Sequence, residues 1–136
     1  MAGMSDYLEN AALNHVLTAT GYTSPNATLY LSLHKADPTD ADTGTEVSAT
    51  VDDTAYARQS ITFGAASGGV ATSTNAQTYG AVVYGSGAAP YAVMYLGIYD
   101  AATAGNLLFL VSIPTVTLNT AEVASFATGA VTVTGD

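Results

Sequence analysis

Residues 91–99 read YAVMYLGIY, an alternation of side chains that is typical of a β-strand. One face of this strand is predicted to carry Ala92, Met94, Leu96 and Ile98, and the other Tyr91, Val93, Tyr95 and Tyr99. Comparable runs recur between turn signals at intervals of about 8–12 residues, which is typical of a sandwich or small barrel. The sequence therefore predicts an all-β fold, a jelly-roll-like antiparallel β-sandwich of seven or eight strands.

The other strand candidates differ in how completely they are expected to be buried. From Ala27 onward, leucines alternate with polar residues that end at His34, which predicts a half-buried strand. Leu107–Ile113 is almost wholly apolar, as expected of a central strand that is covered on both faces. A second alternating run is Tyr56–Phe63, and the shorter candidates are Val70–Thr74, Ala76–Tyr79, Val116–Leu118, Glu122–Phe126 and Val131–Thr134.

An amphipathic helix is predicted at residues 5–20, ahead of a β body at 27–134, all within one domain spanning 1–136. Ser5 is a good N-cap, Asp6 and Glu9 complement the helix dipole in the first turn, and Gly21 predicts the end. Its apolar stripe consists of Leu8, Ala12, Leu13, Val16 and Leu17. A helix this short must pack on something, either its own β body or a neighbouring subunit.

The charge of the chain excludes several kinds of partner. The chain has eleven acidic residues, and its only lysine and arginine are Lys35 and Arg58, which gives a formal net charge of −9. Such a chain lacks the cations that neutralise phosphates, so neither nucleic acid nor an anionic membrane surface is an expected partner. No 18-residue apolar stretch predicts a transmembrane helix, and the absence of cysteine excludes disulfides and thiolate chemistry.

Residues that could support catalysis are scarce. His15 and His34 are the only histidines, and no Gly-x-Ser-x-Gly elbow or phosphate-binding loop accompanies them. We therefore expect no catalytic residue, no cofactor and no enzymatic activity.

An acidic loop is the one candidate for a metal site. Asp37, Asp40, Asp42 and Glu46 lie within ten residues and offer the oxygen ligands that Ca²⁺ prefers. Their spacing does not match an EF-hand, and Asp37 followed by a proline also indicates a simple solvated turn. The sequence leaves both interpretations open, with the solvated turn favoured.

Binding to other proteins fits this composition better than catalysis or metal binding does. Arg58, the only arginine, could form a local ion pair or an intersubunit one; the second role predicts that Arg58→Glu weakens assembly more than folding. Tyrosine combines apolar area with a polar tip and is enriched at interfaces. The predicted contact residues are Leu8, Leu13, Val16, Leu17, Arg58, Tyr91, Tyr95 and Tyr99.

Several short pieces of the chain together resemble a family of small tailed-bacteriophage virion proteins that are commonly labelled tail fibre proteins. They follow the family's order and are Ser5–Asn10, Leu13–His15, Leu29–Leu33, Ala36–Thr39, Tyr56–Gln59, Phe63–Ala66, Leu96–Ala101 and Gly105–Leu108.

The resemblance implies a structural component of the virion, assembled in the bacterial host cytoplasm, and it brings no catalytic residues. Because the chain is short and has no shaft repeat, we favour an exterior capsid decoration (cement) protein. Its expected partners are further copies of itself, with a trimer favoured, and the major capsid protein or other virion proteins. The alternatives are a small tail fibre, tail tip or adaptor protein, and a carbohydrate-binding β-sandwich module.

Overall fold

The computed structural model describes residues 2–21 and 28–135 of the chain. The predicted start of the β body at Ala27 and both ends of the predicted domain lie outside those ranges. Within them the chain forms one helix and nine strands: β1 (Ala2–Met4), α1 (Asp6–Thr18), β2 (Leu29–His34), β3 (Gln59–Ile61), β4 (Val70–Thr72), β5 (Gln77–Thr78), β6 (Tyr91–Tyr99), β7 (Leu107–Leu118), β8 (Ser125–Phe126) and β9 (Thr132–Thr134).

Five of the strands form one antiparallel sheet in the order β1-β7-β6-β2-β3, and the others form the ribbons β4-β9 and β5-β8. The buried core joins this sheet to the ribbons, since Leu31 and Ile61 share one cluster with Tyr79 and Val133. The mainly β fold with an N-terminal helix is thus confirmed. The remaining described strands form two separate ribbons rather than one continuous second sheet.

Helix α1 begins as predicted and ends early. Ser5 has extended backbone angles, and its hydroxyl accepts a hydrogen bond from the Leu8 N–H. The helix ends at Thr18 because Ala19 adopts left-handed angles (φ 54°), two residues before the predicted stop at Gly21. No helix in the described ranges is long and apolar enough to cross a membrane.

Strand β2 is buried on both faces, so the prediction of a half-buried strand is wrong. Leu31 and Leu33 enter the core as expected, but His34 on the polar face is also 0% exposed. The side chain of Tyr99 and the loop around Thr45 cover that face, which sequence alternation cannot reveal.

Strand β6 does not keep one alternation over its whole length. Its pairing with β7 shifts register between Val93 and Tyr95. Tyr91 and Val93 lie in the same core cluster as Leu96 and Ile98. The prediction that Tyr91 shares a face with Tyr95 and Tyr99 is therefore wrong, since Tyr91 packs in that core cluster whereas Tyr99 stacks on His34.

Strand β7 runs continuously through both segments predicted there, and most of it is less covered than expected. Leu107 and Leu108 are buried, whereas Val116 is 48% exposed. Strand β1 pairs with β7 only as far as Val111, so the later residues form a sheet edge. This edge accommodates Pro114, a residue that central strands exclude.

Candidate functional site

Arg58 and Glu46 form the main ion pair of the protein. The guanidinium donates from Nε and one terminal nitrogen to the two carboxylate oxygens, at 2.8 and 2.7 Å. Its other terminal nitrogen donates to the carbonyls of Ala101 and Ala104, at 3.0 and 2.7 Å. The Arg58 side chain is only 8% exposed. Of the two roles considered for Arg58, the geometry supports the local one.

Aromatic and polar side chains continue this cluster beneath the acidic loop. The Arg58 guanidinium lies 3.5 Å from the Tyr99 ring centroid, and Tyr99 stacks on His34. The Tyr99 hydroxyl donates to Asp42, and the Tyr56 hydroxyl donates to Glu46, both at 2.7 Å. Tyr99, which was predicted to contact a partner, is thus buried inside its own chain.

The cluster changes the proton affinities of its members. Burial disfavours the charged form of Glu46, but hydrogen bonds from Arg58 and Tyr56 outweigh burial and lower the pKa of this carboxyl. Burial lowers the pKa of His34, although the charges of Glu46 and Asp42 oppose that shift. At neutral pH the cluster therefore holds an ionised carboxylate beside a neutral imidazole.

Three of the four residues of the proposed calcium site have separate partners. Asp37 accepts the Thr39 N–H, while Asp42 accepts the Tyr99 hydroxyl and Glu46 is paired with Arg58. Within the described residues, no group of three or more histidine or carboxylate side chains is arranged to hold a metal ion. The calcium hypothesis gains no support from this geometry.

The other two predicted tyrosines differ in environment. Tyr91 is 6% exposed, and its hydroxyl donates to buried Asp53, which also accepts the N–H groups of Ala55 and Val83. Tyr95 is partly exposed, and the negative charge of Asp37 raises its pKa. Among the described aromatic residues only Tyr7 is exposed by more than a third, so a sugar-binding aromatic platform is not apparent.

The apolar stripe of α1 is exposed to solvent rather than packed on the sheet. The exposed fractions of Leu13, Val16 and Leu17 are 56%, 77% and 74%, and no residue of the helix is buried. Leu8 is partly buried on the side that turns toward the sheet. The stripe therefore does not cover the β body of this chain, which leaves a partner as the alternative considered from the sequence.

An acidic cavity at the start of the helix was not predicted. Asp6, Asp40 and Asp42 line an open cavity of about 330 Å³ together with Tyr7 and Asn106. The backbone N–H of Asp6 donates to the carbonyl of Asp40 and so joins the helix to the acidic loop. No local pattern reveals this proximity, because it depends on how β1 and α1 are placed beside β7.

These features define a mainly β protein in which the polar side chains discussed above bond to groups of the same chain. A protein-family model described as podophage GP4 fiber I protein gp80 (Gp80) matches residues 3–134, and the chain belongs to that family. The protein is thus a bacteriophage virion structural protein of tail-fibre-like type, which confirms the family resemblance and the virion location. No curated protein matches the chain.

Proposed function

We propose that the protein is a non-catalytic subunit of a phage fibre, held in the particle by contacts with other virion proteins. The observation that carries this proposal is the exposed apolar stripe of α1, where Leu13, Val16 and Leu17 are more than half exposed. A contiguous apolar surface on a small protein favours a protein–protein contact. The family description, which names a fiber protein, favours the fibre over the capsid shell.

Cryo-electron microscopy of the intact particle tests the location. Density for this chain at the tail is the expected result. Density repeated over the capsid lattice would instead support the decoration role that we favoured from chain length.

Self-association is a separate expectation. The predicted trimer stays a prediction, and sedimentation equilibrium of the purified chain tests it.

A further inference from the structure

The exposed side of α1 is polarised along its length. Asp6, Glu9, Leu13, Val16 and Leu17 follow the three- and four-residue spacing that places side chains on one side of a helix. All five are exposed, and we call them the α1 face. Both acids lie in the first turn and all three large apolar residues lie in the second half. The face therefore has an acidic end and an apolar end.

The acidic end has no lysine or arginine partner in its own chain. Lys35 is paired with Asp52, and Arg58 is paired with Glu46. These are the only two basic residues other than histidine in the sequence. A lysine or arginine that pairs with the α1 face would therefore come from another chain.

We infer that the α1 face docks on a different virion protein, on an apolar surface bordered at one end by lysine or arginine. This inference rests on the proposed function and specifies the chemistry of its partner. Charge complementarity of this kind orients a partner and excludes wrong ones, while buried apolar side chains supply most of the affinity.

A second copy of this chain fits the α1 face poorly. Side-by-side parallel helices would bring Asp6 and Glu9 of one copy against the same acids of the other. Antiparallel helices would place those acids against Val16 and Leu17. Each copy also carries a net charge of −9, which opposes close approach. An anionic lipid surface is excluded by the same sign of charge.

The test uses a phage that lacks the gene for this chain, with wild-type or variant protein supplied from a plasmid during infection. Copies per purified particle are counted by quantitative mass spectrometry after washes of increasing NaCl concentration. Leu13→Gln/Val16→Gln changes the apolar end, and Asp6→Asn/Glu9→Gln changes the acidic end. Val51→Gln and Glu122→Gln are matched controls, because Val51 is 46% exposed and Glu122 is exposed away from the helix.

We expect Leu13→Gln/Val16→Gln to lower occupancy at least tenfold, because each exposed apolar side chain buried at a contact is worth about tenfold in affinity. Asp6→Asn/Glu9→Gln should lower occupancy at low salt and flatten its salt dependence, since exposed charge pairs are screened. Both controls should match wild type. Soluble yield and thermal melting verify that every variant folds.

Carbodiimide crosslinking of wild-type particles identifies what lies opposite the acids, because it joins a carboxylate to a neighbouring amine. A crosslink from Asp6 or Glu9 to a lysine of another virion protein is expected. A crosslink to Lys35 of a second copy would overturn the inference, as would a self-associated chain that Leu13→Gln/Val16→Gln converts to monomers.

If particles retain Leu13→Gln/Val16→Gln as well as wild type, the inference is also overturned. The location of the protein in the fibre, which cryo-electron microscopy tests, would not be affected by that result. Absence of the wild-type chain from the particle would overturn both the inference and the proposed function.

Discussion

Replacement of Arg58 by methionine should destabilise the fold rather than an assembly. Methionine keeps an apolar stem but loses the four hydrogen bonds that the guanidinium makes to Glu46, Ala101 and Ala104. It also loses the cation that lies 3.5 Å from the Tyr99 ring centroid. The Glu46 carboxylate would keep only the hydrogen bond from Tyr56.

The magnitude follows from burial. Removal of one partner from a buried ion pair costs about 3–5 kcal/mol, because the other charge stays buried without compensation. The Arg58 side chain is 8% exposed and that of Glu46 is 24% exposed, so water can partly rehydrate the carboxylate. We therefore expect the lower end, about 3 kcal/mol, out of a total stability of about 5–15 kcal/mol.

Lys35→Met is the matched control, because it removes the second ion pair seen among residues 2–21 and 28–135. The Lys35 side chain is 39% exposed and that of Asp52 is 12% exposed, and the Asp52 carboxylate would still accept the Ser48 N–H. We therefore expect a smaller loss than for Arg58→Met, about 1–2 kcal/mol. Urea unfolding followed by far-UV circular dichroism measures both variants. For a slope of about 1–3 kcal/mol per molar urea, a loss of 3 kcal/mol lowers the midpoint by about 1–3 M.

Equal midpoints for Arg58→Met and Lys35→Met would refute the reasoning. If Arg58→Met fails to fold, Arg58→Lys provides the second measurement. Lysine keeps the charge but cannot make the paired hydrogen bonds to the carboxylate, so an intermediate loss is expected.

Three further predictions concern the interior. Acidification should lower the unfolding free energy as pH falls below about 6.5. Burial lowers the pKa of His34 in the folded protein, so the unfolded chain binds more protons in that range. Urea unfolding at several pH values measures this dependence, and His34→Gln should remove the contribution of this histidine. Gly97→Ala should cost about 1–3 kcal/mol in urea unfolding, because a Cβ would lie 2.6 Å from the Ser32 hydroxyl and 2.8 Å from His34 Nε2; a wild-type midpoint would contradict the tight packing. Tyr79→Phe should cost about 1 kcal/mol by the same assay, since it leaves the buried carbonyl of Leu31 without the hydroxyl that donates at 2.8 Å, and an unchanged midpoint would contradict that role.

Local chemistry explains what the sequence predicted well. The cap at Ser5 depends on a side chain and an N–H three residues away, and the structure contains that bond. Strand β6 was located at its observed bounds because its side chains are continuously apolar or aromatic. The family resemblance, carried by several short pieces in order, was confirmed by a match that spans residues 3–134.

Long-range packing explains what the sequence could not predict. Arg58 binds carbonyls 43 and 46 residues away, so its local role was only one of two open interpretations. His34 is covered by Tyr99, which lies on the neighbouring strand β6. The burial of Tyr91 and Val93 in the same cluster as Leu96 and Ile98 depends on what packs on β6, which alternation within a single strand does not encode.

The attachment of α1 has a mechanical consequence. The Ser5 N–H donates to the carbonyl of Leu108, its hydroxyl donates to that of Leu107, and the Asp6 N–H donates to that of Asp40. From residue 12 to residue 18, every side chain of α1 is exposed. The helix is thus about 20 Å long and is fixed to the β body near its first turn, while its second half projects from the surface. A force applied at Leu17 therefore acts on the β body as a torque about Ser5. The two chain segments that resist this torque are β7, through Leu107 and Leu108, and the acidic loop, through Asp40.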